Sequence, residues 1–385
     1  MYWNQNIGDP IFMWILNTLL MLILIYSGYG ITYKNKSKFN SYAGLSLVSY
    51  SLVEGLRWMR GVDYFHYYQD LATGLKGSYV TENPEILYEL FCKTFHSLGW
   101  PVPLAFIFYS FLLLFSFILV LRHFRDSAIY ALPLFYVMTV SATENHIRQF
   151  LAISFVFFAY DAYLCNKRKR SYFLLCLSAF IHSSLLVVFP FYILLTLKNV
   201  NLPNKGVYYI LFAYILLFFF WDIRYLGNFA NWLQIVGAGD NTKFSGYTED
   251  ADRWFTSEGS MSGRGLIASQ SVFYIWGQFL ISLILIYFGY LLAKRNKDLL
   301  LVFAFTCISL FINVLGSDIE LLGRFSECFS YFSPLLLALV LRDKSLSKNI
   351  RYALYIIVFL IYGYMGFIRP WGNPTLTGSA FIWDA

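Results

Sequence analysis

The sequence predicts an all-α, polytopic integral membrane protein, with about ten full spans plus a re-entrant helical hairpin in a single transmembrane domain covering residues 1–385. Three observations predict it. The chain is 58% hydrophobic and only 13% charged, with mean hydropathy +0.56, which leaves too little polar surface to enclose its apolar segments in water. The apolar runs recur at lengths close to the ~20 residues that a bilayer core requires. Short clusters of Lys and Arg separate them, as topology signals do.

In chain order the expected spans are 11–31, 40–57, 102–121, 127–143, 147–165, 206–223, 266–292, 299–315, 325–341 and 351–368. The first has Asp9 rather than basic residues before it and is longer than a signal-peptide core, so a retained span is expected there and not a cleaved leader. The stretch from Ser171 to Leu197 is long for one helix, carries Ile-His-Ser-Ser at its centre and has Pro190 beyond.

Charge decides how that stretch is threaded. If it enters and returns to the same side, 18 of the 29 Lys and Arg fall on one face and 11 on the other. If it crosses once, the division becomes 15 against 14 and the positive-inside bias vanishes. The hairpin is therefore expected, with both termini outside. Two long polar loops, 58–101 and 225–265, then lie on the outer face. The first contains Pro84-Glu85-Ile-Leu-Tyr88, expected to open a short amphipathic surface helix. The second is rich in Gly, Asp and Ser and is expected to act as a lid over a ligand cleft.

Several function classes are excluded or weakened. The net charge of +7 comes from clusters between spans, so it reports topology and not a nucleic-acid partner. No P-loop and no GxGxxG appears, so nucleotide hydrolysis has no basis in the sequence. The five cysteines show no CxxC or metal-ligand spacing and read as buried thiols. No HExxH or Cys/His cluster appears, and Asp250-Ala-Asp252, a DxD-like spacing only if alanine is allowed, carries little weight, so neither a metal site nor a cofactor is expected.

On this threading Arg57, Arg60, Asp63, Glu85, Arg148, His182, Arg264 and Arg324 all come to the outer face from distant parts of the chain. An arginine at a membrane helix end costs free energy unless it faces the protein interior or a partner. Several on one side point to an anion, and the planar guanidinium fork suits phosphate. The plain alternative is that each pairs with a nearby acid such as Glu144, Glu320 or Glu327. His182 sits at the break of the hairpin, where unwound backbone lines a cavity or is stabilised by the histidine itself. Asp63 and Glu85 are carboxylates able to accept a proton from a sugar hydroxyl. Tyr64 and Tyr67 beside Asp63 offer the flat faces on which sugars stack.

These residues carry a resemblance. Arg57-x-x-x-Gly61-x-Asp63-Tyr64-x-x-Tyr67, then Pro84-Glu85, Ile147-Arg148-Gln149 opening a span, Ile181-His182-Ser183 between short apolar helices, and Gly323-Arg324 resemble the EpsG-like, Wzy-type polysaccharide (O-antigen or capsule) polymerases of bacteria. The order and spacing of these short motifs carry the match from about residue 57 to 332. The sequence departs at Val62, where the family often has a small hydroxylated residue, and at Cys328, where an aromatic is common.

The resemblance implies a membrane glycosyltransferase of GT-C-related architecture, acting without a metal in the bacterial cytoplasmic (inner) membrane with its active face periplasmic. It would move a growing glycan from undecaprenyl diphosphate to a lipid-linked repeat unit, alongside chain-length regulator and flippase proteins. In that reading Arg148, Arg324 and Arg57 hold the diphosphate, and Asp63 or His182 orients or deprotonates the acceptor hydroxyl. Arg60, Tyr64, Tyr67, Glu85 and Arg264 contact diphosphate or glycan. An O-antigen-ligase-like transferase would share the donor chemistry and differ in its acceptor. A lipid-linked glycan transporter would need polar residues through the middle of its spans, whereas here they gather at one face.

Overall fold

The computed structural model describes residues 10–58, 63–76, 85–197, 200–221, 272–316, 320–368 and 380–381. Contacts divide the chain into two units, Met1–Pro190 with Pro334–Ala385, and Phe191–Ser333.

The first unit is built on α1 (Pro10–Tyr33), α2 (Phe39–Gly55), α5 (Val102–Leu121), α6 (Ala128–Asn145) and α7 (Ile147–Leu164). Helices α1 and α6, α2 and α5, and α5 and α7 pack in pairs. The close approaches are made by small residues, as expected where lipid gives helices no hydrophobic reason to associate. A Cβ on Gly28 would lie 2.5 Å from the Ala128 carbonyl oxygen, and one on Gly55 2.4 Å from the Ile107 Cα.

The apolar stretch Val102–Val140 has 39 residues. A turn at Arg122–Ser127, with Phe124 at φ −124° and ψ 35°, splits it into α5 and α6. Phe117 and Phe135 stack with centroids 4.1 Å apart. One straight helix would separate them by about 27 Å at 1.5 Å per residue, so the two helices fold back on each other.

Two surface helices, α3 (Tyr64–Thr73) and α4 (Ile86–Ser97), fill the loop between α2 and α5. The expected amphipathic helix is α4: it buries Tyr88, Cys92 and Phe95, one helical stripe, and exposes Leu90 and Lys93. Burial in this stripe pushes the Cys92 thiol up to about 12. Helix α8 (Arg168–Ile181) stops at His182, whose backbone is extended at φ −150° and ψ 119°. A tight turn, Ser183–Val187, leads into α9 (Val188–Leu197), so the expected break at His182 is present.

The second unit contains α10 (Gly206–Phe220), α11 (Val272–Arg295), α12 (Leu300–Gly316) and α13 (Glu320–Ser330). Its core is aromatic: Tyr214, Phe218 and Phe279 pack together, with Phe218 and Phe279 centroids 4.3 Å apart. After it come α14 (Ser333–Arg342) and α15 (Lys348–Val358), the latter continuing into a wider π-type turn over Phe359–Ile368. The one departure from an all-helical chain among the described residues is a two-residue antiparallel pair, β1 (Arg57–Trp58) with β2 (Ala380–Phe381).

Five stretches are long and apolar enough to cross a membrane, or six if Leu322–Ser330 and Ser333–Arg342 together count as one broken span. The three remaining expected spans are shorter as α-helices: α2 has 17 residues, α10 has 15, and α15 has 11 before its π-type turn. The helices expose large apolar side chains such as Leu22, Val48, Phe212 and Phe220, the last 72% exposed, which a bilayer would cover. The chain is a multi-pass membrane protein. Of the two expected outer loops, 59–62, 77–84 and all of 225–265 lie outside the described residues.

Candidate functional site

Glu85 is the N-cap of α4, with β-region backbone at φ −65° and ψ 138°, but its carboxylate does not cap its own helix. It reaches across to α7 and to the break after α8. Its Oε2 accepts a hydrogen bond of 3.2 Å from Arg148 Nη1. Its Oε1 accepts from Ser183 Oγ at 3.3 Å and from the Ser183 backbone N–H at 3.4 Å. The N–H groups beyond a broken helix have no partner within it, so a tertiary carboxylate meets one of them here. His182 Nδ1 lies 3.6 Å from the same Oε1, an ion-pair distance longer than a direct hydrogen bond.

Burial raises the proton affinity of the Glu85 carboxyl. The neighbouring His182 and the Arg148 charge more than offset that, holding it well below the usual carboxylate range. Glu85 is thus an anion at neutral pH, placed between a guanidinium and an imidazole. Its side chain is 9% exposed, while Arg148 and His182 remain 22% and 17% exposed. The guanidinium and the imidazole therefore reach solvent and the carboxylate lies behind them.

Arg148 is one residue inside α7, because His146 at φ −106° and ψ 58° breaks the chain just before it. Its guanidinium lies over two rings, 5.7 Å from the Tyr67 centroid and 5.4 Å from that of Tyr88. Tyr88 donates its hydroxyl to Asp70 Oδ2 at 3.2 Å, and both residues are buried. Helix α3 thus supplies a ring and a carboxylate, and α4 supplies a ring and a carboxylate, to orient one arginine. Nε of Arg148 is buried with no hydrogen-bond partner among the described residues.

Three of the expected site residues, Glu85, Arg148 and His182, meet here, with Tyr67 against the arginine. The flat face that Tyr67 was expected to offer a sugar is covered by Arg148. Tyr64 is likewise buried, against Phe106 at 4.9 Å between centroids. Burial pushes its hydroxyl pKa above the usual range, against the lowering effect of the Arg57 charge.

Arg57 is buried too. It pairs with Glu54 at 3.3 Å and lies over Phe106, so its charge is met from its own segment by a partner three residues earlier. Its guanidinium is thus held inside the first unit by Glu54 and the Phe106 ring. Asp63 is the half-exposed N-cap of α3, one turn before Tyr67, and no hydrogen bond or ion pair joins it to Glu85, Arg148 or His182 among the described residues. Arg324 lies in α13 of the second unit and is half-buried. Arg60 and Arg264 lie outside the described residues.

Tyr88, Asp70 and Ser183 belong to the cluster and were not among the expected site residues. One signal was available: Asp70 stands three residues after Tyr67, on the same face of a short helix. At the far end of α7 the structure also gathers ligand-type side chains that sequence spacing did not suggest. His123, Asp161 and Cys165 place their ligand atoms within 4.8 Å of one another. Arg122 donates to both Asp161 oxygens, at 3.0 and 3.1 Å, so that carboxylate already has a cation.

The chain matches the family model described as "EpsG family" over residues 40–371, a range that takes in Arg57, Glu85, Arg148, His182 and Arg324. Neither the curated proteins nor the solved structures contain a match to the chain. A match over most of the sequence, containing every element of the Glu85 cluster, means that this chain belongs to the EpsG family.

Proposed function

We propose that the chain is a polysaccharide polymerase that transfers a growing glycan from undecaprenyl diphosphate to a lipid-linked repeat unit at the periplasmic face of the bacterial inner membrane. The family membership supports polymerase-like action in polysaccharide biosynthesis at a coarse level. The observation that carries the finer reading is the convergence of Glu85, Arg148 and His182, from three separate segments, at the solvent-reaching start of α7.

In a lipid-diphosphate donor, negative charge grows on the leaving diphosphate as the glycosidic bond breaks. A preoriented guanidinium placed there stabilises that charge without reorganising. Arg148, held between two rings and tied to Glu85, fills this role. His182 is the better placed of the two candidate bases, because the Glu85 carboxylate beside it favours its protonated form once it takes the acceptor's proton. Asp63 and Arg324 are assigned here on the family resemblance, as an acceptor-orienting group and a further diphosphate cation. The GT-C-related architecture and the ten-span arrangement belong to the same proposal.

The test is direct. Purified protein given a lipid-diphosphate-linked repeat unit yields a ladder of products, and Arg148→Ala yields single repeat units only. One addition to a different acceptor would point to a ligase. A ladder of normal length from Arg148→Ala would remove the arginine from the mechanism.

A further inference from the structure

At the end of the first unit opposite Arg148, a cavity of about 1120 Å³ opens where α1, α5 and α14 end and α2 and α6 begin. Five cations line it: Lys36, Arg122, Arg125, Arg342 and Lys344. The acids on its wall are Asp126 and Asp343, and Asp343 already accepts from the Ser345 N–H and hydroxyl at 2.9 Å each.

Part of that charge has a structural use. Helix C-termini carry partial negative charge and unmet carbonyls. Arg125 Nη2 donates to the Ile31 and Lys34 carbonyls at 2.8 and 2.7 Å, closing the end of α1. Arg122 pairs with Asp161. What is left over is Lys36 and Lys344, both exposed, and Arg342. Arg342 gives Nη1 to the Tyr33 hydroxyl at 3.0 Å and lies 5.2 Å from that ring's centroid, with its buried Nε unbonded among the described residues. One guanidinium is therefore fixed before any ligand arrives, which lowers the ordering cost of binding an anion, and two exposed ammonium groups line the same cavity.

The surroundings choose among anions. Phe39, Phe124 and Leu339 share the wall with the cations. The helices at its rim, α1 and α2, expose Tyr26, Tyr29, Leu45, Val48 and Leu52. A cavity at the ends of membrane helices lies at headgroup depth, and its ligand would meet charge at one end and an apolar surface at the other. A small soluble anion uses only the first.

We propose that this cavity binds the phosphate of an anionic phospholipid headgroup, with Lys36, Arg342 and Lys344 as its cations. The site is separate from the Glu85 cluster, and the proposal does not depend on the polymerase reading.

The full-length protein in mild detergent is incubated with phosphatidylglycerol or phosphatidylcholine, and retained lipid is counted by native mass spectrometry. Phosphatidylglycerol is retained in preference to phosphatidylcholine. Lys36→Gln with Lys344→Gln weakens its retention about five-fold per cation removed. Lys93→Gln, an exposed lysine in α4 outside the cavity, leaves retention unchanged. Equal retention of the two lipids, or an undiminished preference in the double variant, overturns the proposal. So does an equal loss in Lys93→Gln. Inorganic phosphate raising the melting temperature without any lipid preference assigns the cavity to a soluble anion and overturns the lipid source.

Discussion

A carboxylate set between a guanidinium and an imidazole positions both of them, and it also competes with any anion that approaches either. Glu85 has this double character, and its charge is the part that can be removed without changing its shape. Glu85→Gln retains an acceptor for Ser183 but leaves Arg148 without its counter-ion. Because Arg148 is partly exposed, the expected loss is at the modest end for a broken ion pair, about 1–2 kcal/mol, read as a lowered melting temperature.

The pH dependence follows from the same carboxyl. Its folded-state pKa is depressed, so its stabilising contribution is fully present above the ordinary unfolded value of about 4.3 and is lost as pH falls below it. The difference in melting temperature between the wild type and Glu85→Gln should therefore shrink as pH falls below about 4. A gap that grows below that pH would contradict the assignment.

Tyr88 separates two other contributions. Tyr88→Phe keeps the ring under Arg148 and removes the hydrogen bond to buried Asp70, which should cost about 1–3 kcal/mol of stability. Tyr88→Leu removes the ring as well, and a further fall in polymer yield beyond that of Tyr88→Phe is the mark of the guanidinium contact.

Among the elements, α2 provides a matched pair of glycines. A Cβ on Gly55 would collide with Ile107 backbone at 2.4 and 2.6 Å, whereas one on Gly44 meets nothing within 4 Å. Gly55→Ala should push α2 from α5 at a cost of about 1–3 kcal/mol, while Gly44→Ala should be neutral or gain up to about 1 kcal/mol from helix propensity. Equal melting shifts in the two variants would mean that α2 and α5 do not pack as described.

The same scale shows what the sequence could reveal. Apolar length and basic punctuation identify α1, α5, α6, α7 and α12 because burial in lipid imposes a length on each. The break at His182 was readable because a polar Ile-His-Ser-Ser interrupts an apolar run. The partner of Arg148 was not readable as such: Glu85 was legible as a site carboxylate, but pairing across 63 residues leaves no periodic trace. The pairing of Arg57 with Glu54 was not readable for a similar reason, since nothing in composition says which way either side chain turns. The tyrosines at 64 and 67 looked like sugar platforms because sequence does not distinguish a ring that faces solvent from one that supports a cation.

For the whole molecule, the decisive quantity is which side of the bilayer each end of the first unit occupies. Helix α5 is 20 residues long, about 30 Å, so its two ends lie at opposite surfaces of a bilayer core. Ser97, exposed at the end of α4, stands near its start, and Asp126, exposed in the turn after it, stands at its end. In the proposed orientation, which the Lys and Arg bias supports, the Asp126 end lies in the cytoplasm. In a background with Cys165 and Cys176 replaced by Ser, Ser97→Cys should react with a membrane-impermeant maleimide in intact cells with a permeable outer layer. Asp126→Cys should react only after the inner membrane is opened. Labelling of both from one side would mean that α5 does not cross. The reverse order would leave α5 as a span but turn Glu85, Arg148 and His182 toward the cytoplasm, where a periplasmic polymerase could not use them.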